Sequence, residues 1–176
     1  MSAGVVIKGT NPDDADRLWL LGGNGGGSDK TSDFVFSNGT IVPGPYPYGS
    51  TGTRGVCMVE LDDGDILILG GISTLKKVTR YNPTTGAFTT QQEMNFDKKE
   101  FACTVFNSDK HGKSIPILFQ GLLYIYITIC VYFIGGRQVV YAAGGERSGN
   151  TVQLLDHTQT ETWETSKYKY LNYPLG

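Results

Sequence analysis

The side chains that could do chemistry are few. The chain holds two histidines, His111 and His157, and three cysteines, Cys57, Cys103 and Cys130. Imidazoles and thiolates serve as metal ligands and nucleophiles when several converge. Here both histidines fall in predicted turns, far apart in sequence, and they read as solvated turn residues. Asp62-Asp63-Gly64-Asp65 clusters three carboxylates. It lacks the alternating carboxylate spacing of a calcium loop and reads as a hairpin turn. Gly23-Asn24-Gly25-Gly26-Gly27 is rich in glycine but has neither phosphate-loop spacing nor a following helical pattern. Asn38-Gly39-Thr40 fits a glycosylation acceptor if the chain is secreted, and otherwise the tip of a hairpin. No catalytic, cofactor-binding or metal-binding residue is assigned, and no cofactor is expected.

Composition points the same way. Of 176 residues, 24 are glycine, about twice the usual share of roughly 7%, and only 18% are charged. That mixture suits short strands and tight turns better than surface helices. The net charge of −2 offers no broad basic field for nucleic acid. Three cysteines are too few for a disulfide scaffold. The apolar run Val5-Val6-Ile7 is too short for a signal peptide, so the cytoplasm is the default expectation, with a membrane location as the alternative.

Three apolar runs end in a glycine pair. They are Leu18-Trp19-Leu20-Leu21-Gly22-Gly23, Ile66-Leu67-Ile68-Leu69-Gly70-Gly71 and Val140-Tyr141-Ala142-Ala143-Gly144-Gly145. Each reads as a buried strand closed by a sharp turn. A second strand follows each, around Phe36, Tyr81 and Leu155. Turn residues come next: Asn38-Gly39, Asn82-Pro83-Thr84-Thr85-Gly86, and Asp156 to Thr160. A third strand then carries Ile41-Val42, Ala87-Phe88 or Thr162-Trp163. One more strand precedes each glycine-pair strand: Gly4 to Ile7, Gly55 to Val59, and Phe101 to Phe106. Every unit therefore has four antiparallel strands in chain order. Cys57 and Cys103 occupy equivalent first-strand positions in adjacent units. They read as small buried residues, or as a disulfide if the protein is secreted.

This layout closely resembles the kelch repeat: four apolar residues, a glycine pair, then an aromatic residue and a later tryptophan. Tyr81 and Trp163 match the last two positions; Phe36, Leu155, Val42 and Phe88 are apolar stand-ins. The resemblance implies an all-β fold, a partial kelch-type β-propeller of three four-stranded antiparallel blades. The repeats would span 1–48, 49–97 and 98–176. Gly22, Gly23, Gly70, Gly71, Gly144 and Gly145 are its structural glycines. Some kelch-type propellers are copper oxidases similar to galactose oxidase, whose metal needs two histidines with tyrosines; His111 and His157, in predicted turns at one edge of a blade, read as solvated turn residues instead. The implied role is protein binding.

One segment breaks the period. Gly22 and Gly70 stand 48 residues apart, near the kelch period of about 50, but Gly70 and Gly144 stand 74 apart. The excess lies at about 112–135, where Ile115 to Ile134 is almost continuously apolar. Taken alone, that run is long enough to span a bilayer as a helix. It sits inside a hairpin, however, between Lys110 and Lys113 on one side and Arg137 on the other, with no orienting charge asymmetry. It also reads as translated intron. Gly112-Lys113 is encodable as GGT AAG, and Tyr132-Phe133-Ile134-Gly135 as a pyrimidine-rich stretch ending in AG. Excising 23 residues keeps the frame and reduces the spacing to 51.

In an up-and-down meander, the loops after the second and fourth strands share one end. That places Tyr46, Tyr48, Arg54, Lys76, Lys77, Lys98, Lys99 and Arg147 together as candidate partner-binding residues. The expected function is a protein-interaction scaffold. The alternative is a single-pass membrane protein carrying kelch blades, if residues 115–134 are authentic. A propeller enzyme is the third reading.

Overall fold

The computed structural model describes residues 2–9, 15–23, 30–49, 51–107, 115–120, 126–131, 138–143, 152–156 and 163–165. All regular elements there are strands, in three four-stranded antiparallel sheets and one two-stranded sheet. Sheet one contains β1 (Ala3–Ile7), β2 (Arg17–Leu21), β3 (Ser32–Phe36) and β4 (Ile41–Pro43). Sheet two contains β5 (Cys57–Glu60), β6 (Ile66–Leu69), β7 (Val78–Asn82) and β8 (Ala87–Thr90). In both, neighbours in sequence are neighbours in space, as short turns dictate.

Sheet three has the same order, with an interruption. It contains β9 (Ala102–Asn107), β12 (Gln138–Ala143), β13 (Val152–Asp156) and β14 (Trp163–Thr165). Its first two strands pair from Ala102↔Ala143 to Asn107↔Gln138, straight across the extra segment. Within that segment, β10 (Ile115–Gln120) and β11 (Tyr126–Val131) pair only with each other. Among the described residues, no helix is long and apolar enough to cross a membrane.

Alternation along each strand decides which face meets which neighbour. On β2, Trp19 and Leu21 are buried and join Ile7, Met58, Ile66, Ile68 and Tyr81 in a core between sheets one and two. On β6 the intervening residues Leu67 and Leu69 join Val59, Val78, Met94, Ala142 and Leu155 between sheets two and three. Sheet two is thus covered on both faces, which is why β6 is an unbroken apolar run. Among the described residues, sheet one is covered on one face. On the other, Val6 pairs with Leu18 and Val35 with Ile41, and Val6 and Ile41 are 44% and 64% exposed.

Neighbouring sheets approach most closely through their first strands, with β5 beside both β1 and β9. There Cys57 of β5 and Cys103 of β9 form a disulfide, their Cα atoms 5.9 Å apart. The two residues face each other because Cys57 pairs across Leu69 and Cys103 across Ala142, both in the core between sheets two and three.

The glycine pairs let one sheet meet the chain entering the next. Gly70 adopts φ +60°, and a Cβ there would run into the Lys98 carbonyl oxygen. The equivalent Gly22 has φ +73°, and a Cβ would lie 2.6 Å from the Thr53 carbonyl oxygen. The repeat extends to hydrogen bonds: Gly22 N–H donates to Thr31 O and Gly70 N–H to Lys77 O, both at 2.9 Å. Gly144 and Gly145 lie outside the described residues.

Candidate functional site

The loops after second and fourth strands meet at one end of the sheets. Ile72 N–H donates to Arg54 O, and Gly71 N–H donates to Lys98 O, both at 2.9 Å. The first bond ties the loop after β6 to the chain entering β5, and the second ties it to the chain entering β9.

The aromatic part of this end is built outward from the core. Trp19 Nε1–H donates to Ser32 Oγ at 2.8 Å, and Ser32 Oγ–H donates to Pro45 O at 2.6 Å. That relay fixes the start of the loop that carries Tyr46 and Tyr48. The Tyr46 hydroxyl then donates to Thr51 O at 2.9 Å and accepts from Thr53 N–H at 3.0 Å. Tyr46 and Tyr48 meet edge to face with ring centroids 6.1 Å apart. Lys77 Nζ lies 5.9 Å from the Tyr48 ring centroid. A cation over an aromatic face at such an exposed site gains about 0.5–1 kcal/mol.

Both tyrosines are half-buried, and both pack against the core between sheets one and two. Burial pushes the Tyr48 phenol up to about 12, with the Thr79 and Thr74 hydroxyls offsetting part of the rise. None of its neighbours makes a hydrogen bond of good geometry to its oxygen. Tyr48 is therefore a neutral, largely apolar wall, and its charged companion Lys77 is the accessible part. Below it, Thr53 Oγ1 and Thr74 Oγ1 lie 3.1 Å apart, and the Thr74 hydroxyl donates to Gly70 O.

The structure brings together Tyr46, Tyr48, Arg54 and Lys77, and leaves Lys76 and Lys77 exposed. Lys98 departs from expectation. It was expected on the loop surface but is fully buried, and burial pulls its ammonium down to about 8. Its backbone is held against the loop after β6: Lys98 O accepts from Gly71 N–H and Lys98 N–H donates to Leu75 O, both at 2.9 Å. Lys99, beside it, is half-exposed. Arg147 lies outside the described residues, as do His111 and His157.

The opposite end carries the hairpin turns. Asp62 to Asp65 connects β5 to β6, with Leu61 N–H donating to Asp65 O at 2.8 Å. Arg80 engages Asp65 through Nε and Asp63 through Nη2, both at 2.5 Å, and Asn82 Nδ2–H donates to Asp65 Oδ1 at 2.8 Å. Asp63 and Asp65 thus tie the hairpin to β7, and Asp63 Oδ1 also accepts from Asp65 N–H at 3.0 Å within the turn. Among the described residues, no group of three or more His, Cys, Asp or Glu is placed to hold a metal ion.

Sequence reasoning missed Trp19 as the anchor of this end, and it missed Thr53 and Thr74. The signal for Trp19 was its place beside a glycine pair. Nothing in the threonines' local sequence marks them.

No family model and no curated protein matches the chain. Among solved structures, it is similar to a fungal alcohol oxidase of the AA5 family solved in complex with copper, at 13% identity and a TM-score of 0.53. That alignment covers 92% of this chain and 29% of the oxidase, so the chain spans less than a third of the solved protein's length. At this identity the likeness is one of fold.

Proposed function

We propose that this chain is a protein-interaction scaffold, three consecutive blades of a kelch-type β-propeller that bind a partner protein through the loop end. The observation that carries the reading is the convergence of three loop systems on one end, where Tyr46, Tyr48, Arg54 and Lys77 sit on a disulfide-locked, two-seam core. Tyrosine and arginine are favoured interface anchors, and loops on a rigid base are where recognition concentrates.

The fan of first strands, β1 beside β5 beside β9, supports the propeller reading. So does the uncovered apolar face of sheet one, which a further blade would cover. The remaining blades would come from more of the same protein or from a second chain. The likeness to the fungal oxidase carries fold alone.

Charge reversal tests the site. The Lys76→Glu, Lys77→Glu double variant is expected to lose about tenfold in affinity for proteins captured by the wild-type chain. Stability should fall by no more than about 1 kcal/mol, the worth of the Lys77 contact with the Tyr48 ring, since both side chains are exposed. Lys8→Glu, at the hairpin-turn end, serves as control and should bind as wild type. Equal capture by all three chains would move the site elsewhere.

A further inference from the structure

We propose that Asn38 is an N-glycosylation site and that the chain folds in the oxidising secretory pathway, where that modification occurs. Two independent observations carry this.

The first is the disulfide. Cys57 and Cys103 sit on different sheets, 46 residues apart, and meet as a bonded pair in the seam between them. Their Cα separation of 5.9 Å is in the most populated range for disulfides. Structural disulfides of this kind persist in secreted and extracellular proteins and are rare where glutathione keeps thiols reduced. Closing the bond removes two protons and two electrons from the thiols. An oxidised dithiol carrier of the secretory pathway accepts the electrons and is itself reduced to the dithiol.

The second is the acceptor. Asn38-Gly39-Thr40 is the only Asn-x-Ser/Thr triplet in the chain without proline at the middle position; Asn82-Pro83-Thr84 is blocked by Pro83. Asn38, Gly39 and Thr40 are all exposed, at the tip of the β3–β4 hairpin. The Asn38 Oδ1 accepts from Thr40 N–H at 2.9 Å, within the triplet itself, and no described residue engages Nδ2. The turn is on the outermost strand pair of sheet one, at the end opposite the Tyr46–Lys77 loops, so a glycan there leaves the proposed recognition end open. Gly39 has φ +84° with open space around it, so the middle residue of the triplet adds no bulk beside the Asn38 side chain.

The transfer balances with a lipid-pyrophosphate-linked oligosaccharide as donor. The Asn38 Nδ2 electron pair forms the bond to the anomeric carbon. The anomeric C–O bond breaks, its electron pair leaves with the lipid pyrophosphate, and one amide proton goes to a base of the transferring enzyme. The default expectation of a cytoplasmic chain does not survive in this proposal, which rests on the seam cysteines and the hairpin tip and not on the scaffold reading.

The test is made on the full chain recovered from its own cells. Treatment with an N-glycosidase should raise its electrophoretic mobility and convert Asn38 to aspartate in the tryptic peptide. Maleimide labelling of denatured protein should gain two labels per chain after reduction, on Cys57 and Cys103. Expressed through a secreting cell, Asn38→Gln and Thr40→Ala should abolish the mobility change, while Thr40→Ser retains it. Circular dichroism of Asn38→Gln should match wild type, separating loss of the glycan from misfolding. An unmodified Asn38 in the native protein overturns the proposal, whatever the state of the cysteines. So does a mobility change that persists in Asn38→Gln.

Discussion

Trp19→Ala is expected to lose about 3–5 kcal/mol of stability, the usual cost of truncating a large buried aromatic side chain. Trp19 is fully buried on β2 and packs against rings from both sides of the first seam. Its ring centroid lies 6.1 Å from Phe34 in its own sheet, and 4.8 Å from Tyr81 and 6.4 Å from Phe88 in the next. The truncation therefore opens a cavity between sheets rather than within one. It also removes the Nε1–H donor to Ser32, and so loosens the relay through Pro45 that sets Tyr46 and Tyr48. Equilibrium urea unfolding measures the cost. Trp19→Phe keeps an aromatic ring and loses the donor, so it should cost markedly less. Equal costs for the two variants would show that the hydrogen bond, and not the seam packing, carries the effect.

Gly70→Ala is the second large effect. A residue with a Cβ at φ +60° is strained by about 1–3 kcal/mol. Overpacking against a fixed neighbour adds about 1–3 kcal/mol. At Gly70 both apply, because the built Cβ collides with the Lys98 carbonyl oxygen and lies 2.8 Å from the Phe101 ring. The expected loss is roughly 2–6 kcal/mol. Gly86→Ala separates the two contributions. Gly86 has φ +70° in the β7–β8 turn, with nothing within 4 Å of a Cβ. It should show the conformational cost alone, so the excess at Gly70 measures how tightly the chain entering sheet three is drawn against sheet two. No excess would mean that this contact is loose in solution.

Much of the fold was legible because it is local. The apolar run Ile66 to Leu69 announced a strand covered on both faces, and Asn82-Pro83-Thr84-Thr85-Gly86 announced its turn. In the structure, Asn82 Oδ1 accepts from the backbone of both Thr84 and Thr85. The pairing of β9 with β12 across the extra segment was legible from the spacing of the glycine pairs.

What failed to show in the sequence depends on how sheets meet. Lys98 stands in a polar stretch, Asn95 to Lys99, and its chemistry argues for the surface. It is nevertheless buried, with its backbone hydrogen-bonded to Gly71 and Leu75 in the preceding repeat. The pairing of Cys57 with Cys103 is of the same kind. Strand periodicity gives each cysteine a face, but only the stacking of sheet two on sheet three sets those faces together. Tyr46 and Tyr48 were read as loop residues for partner binding. The relay from Trp19 makes them walls of the core as much as surface.

Site-specific photo-cross-linking tests the central claim, that the loop end is the recognition surface. A photoreactive side chain is placed at Lys77, beside Tyr48, or at Thr84, in the exposed β7–β8 turn at the other end. The account predicts a discrete protein adduct from position 77 and none from position 84. An adduct from position 84 alone, or equal adducts from both positions, would contradict it.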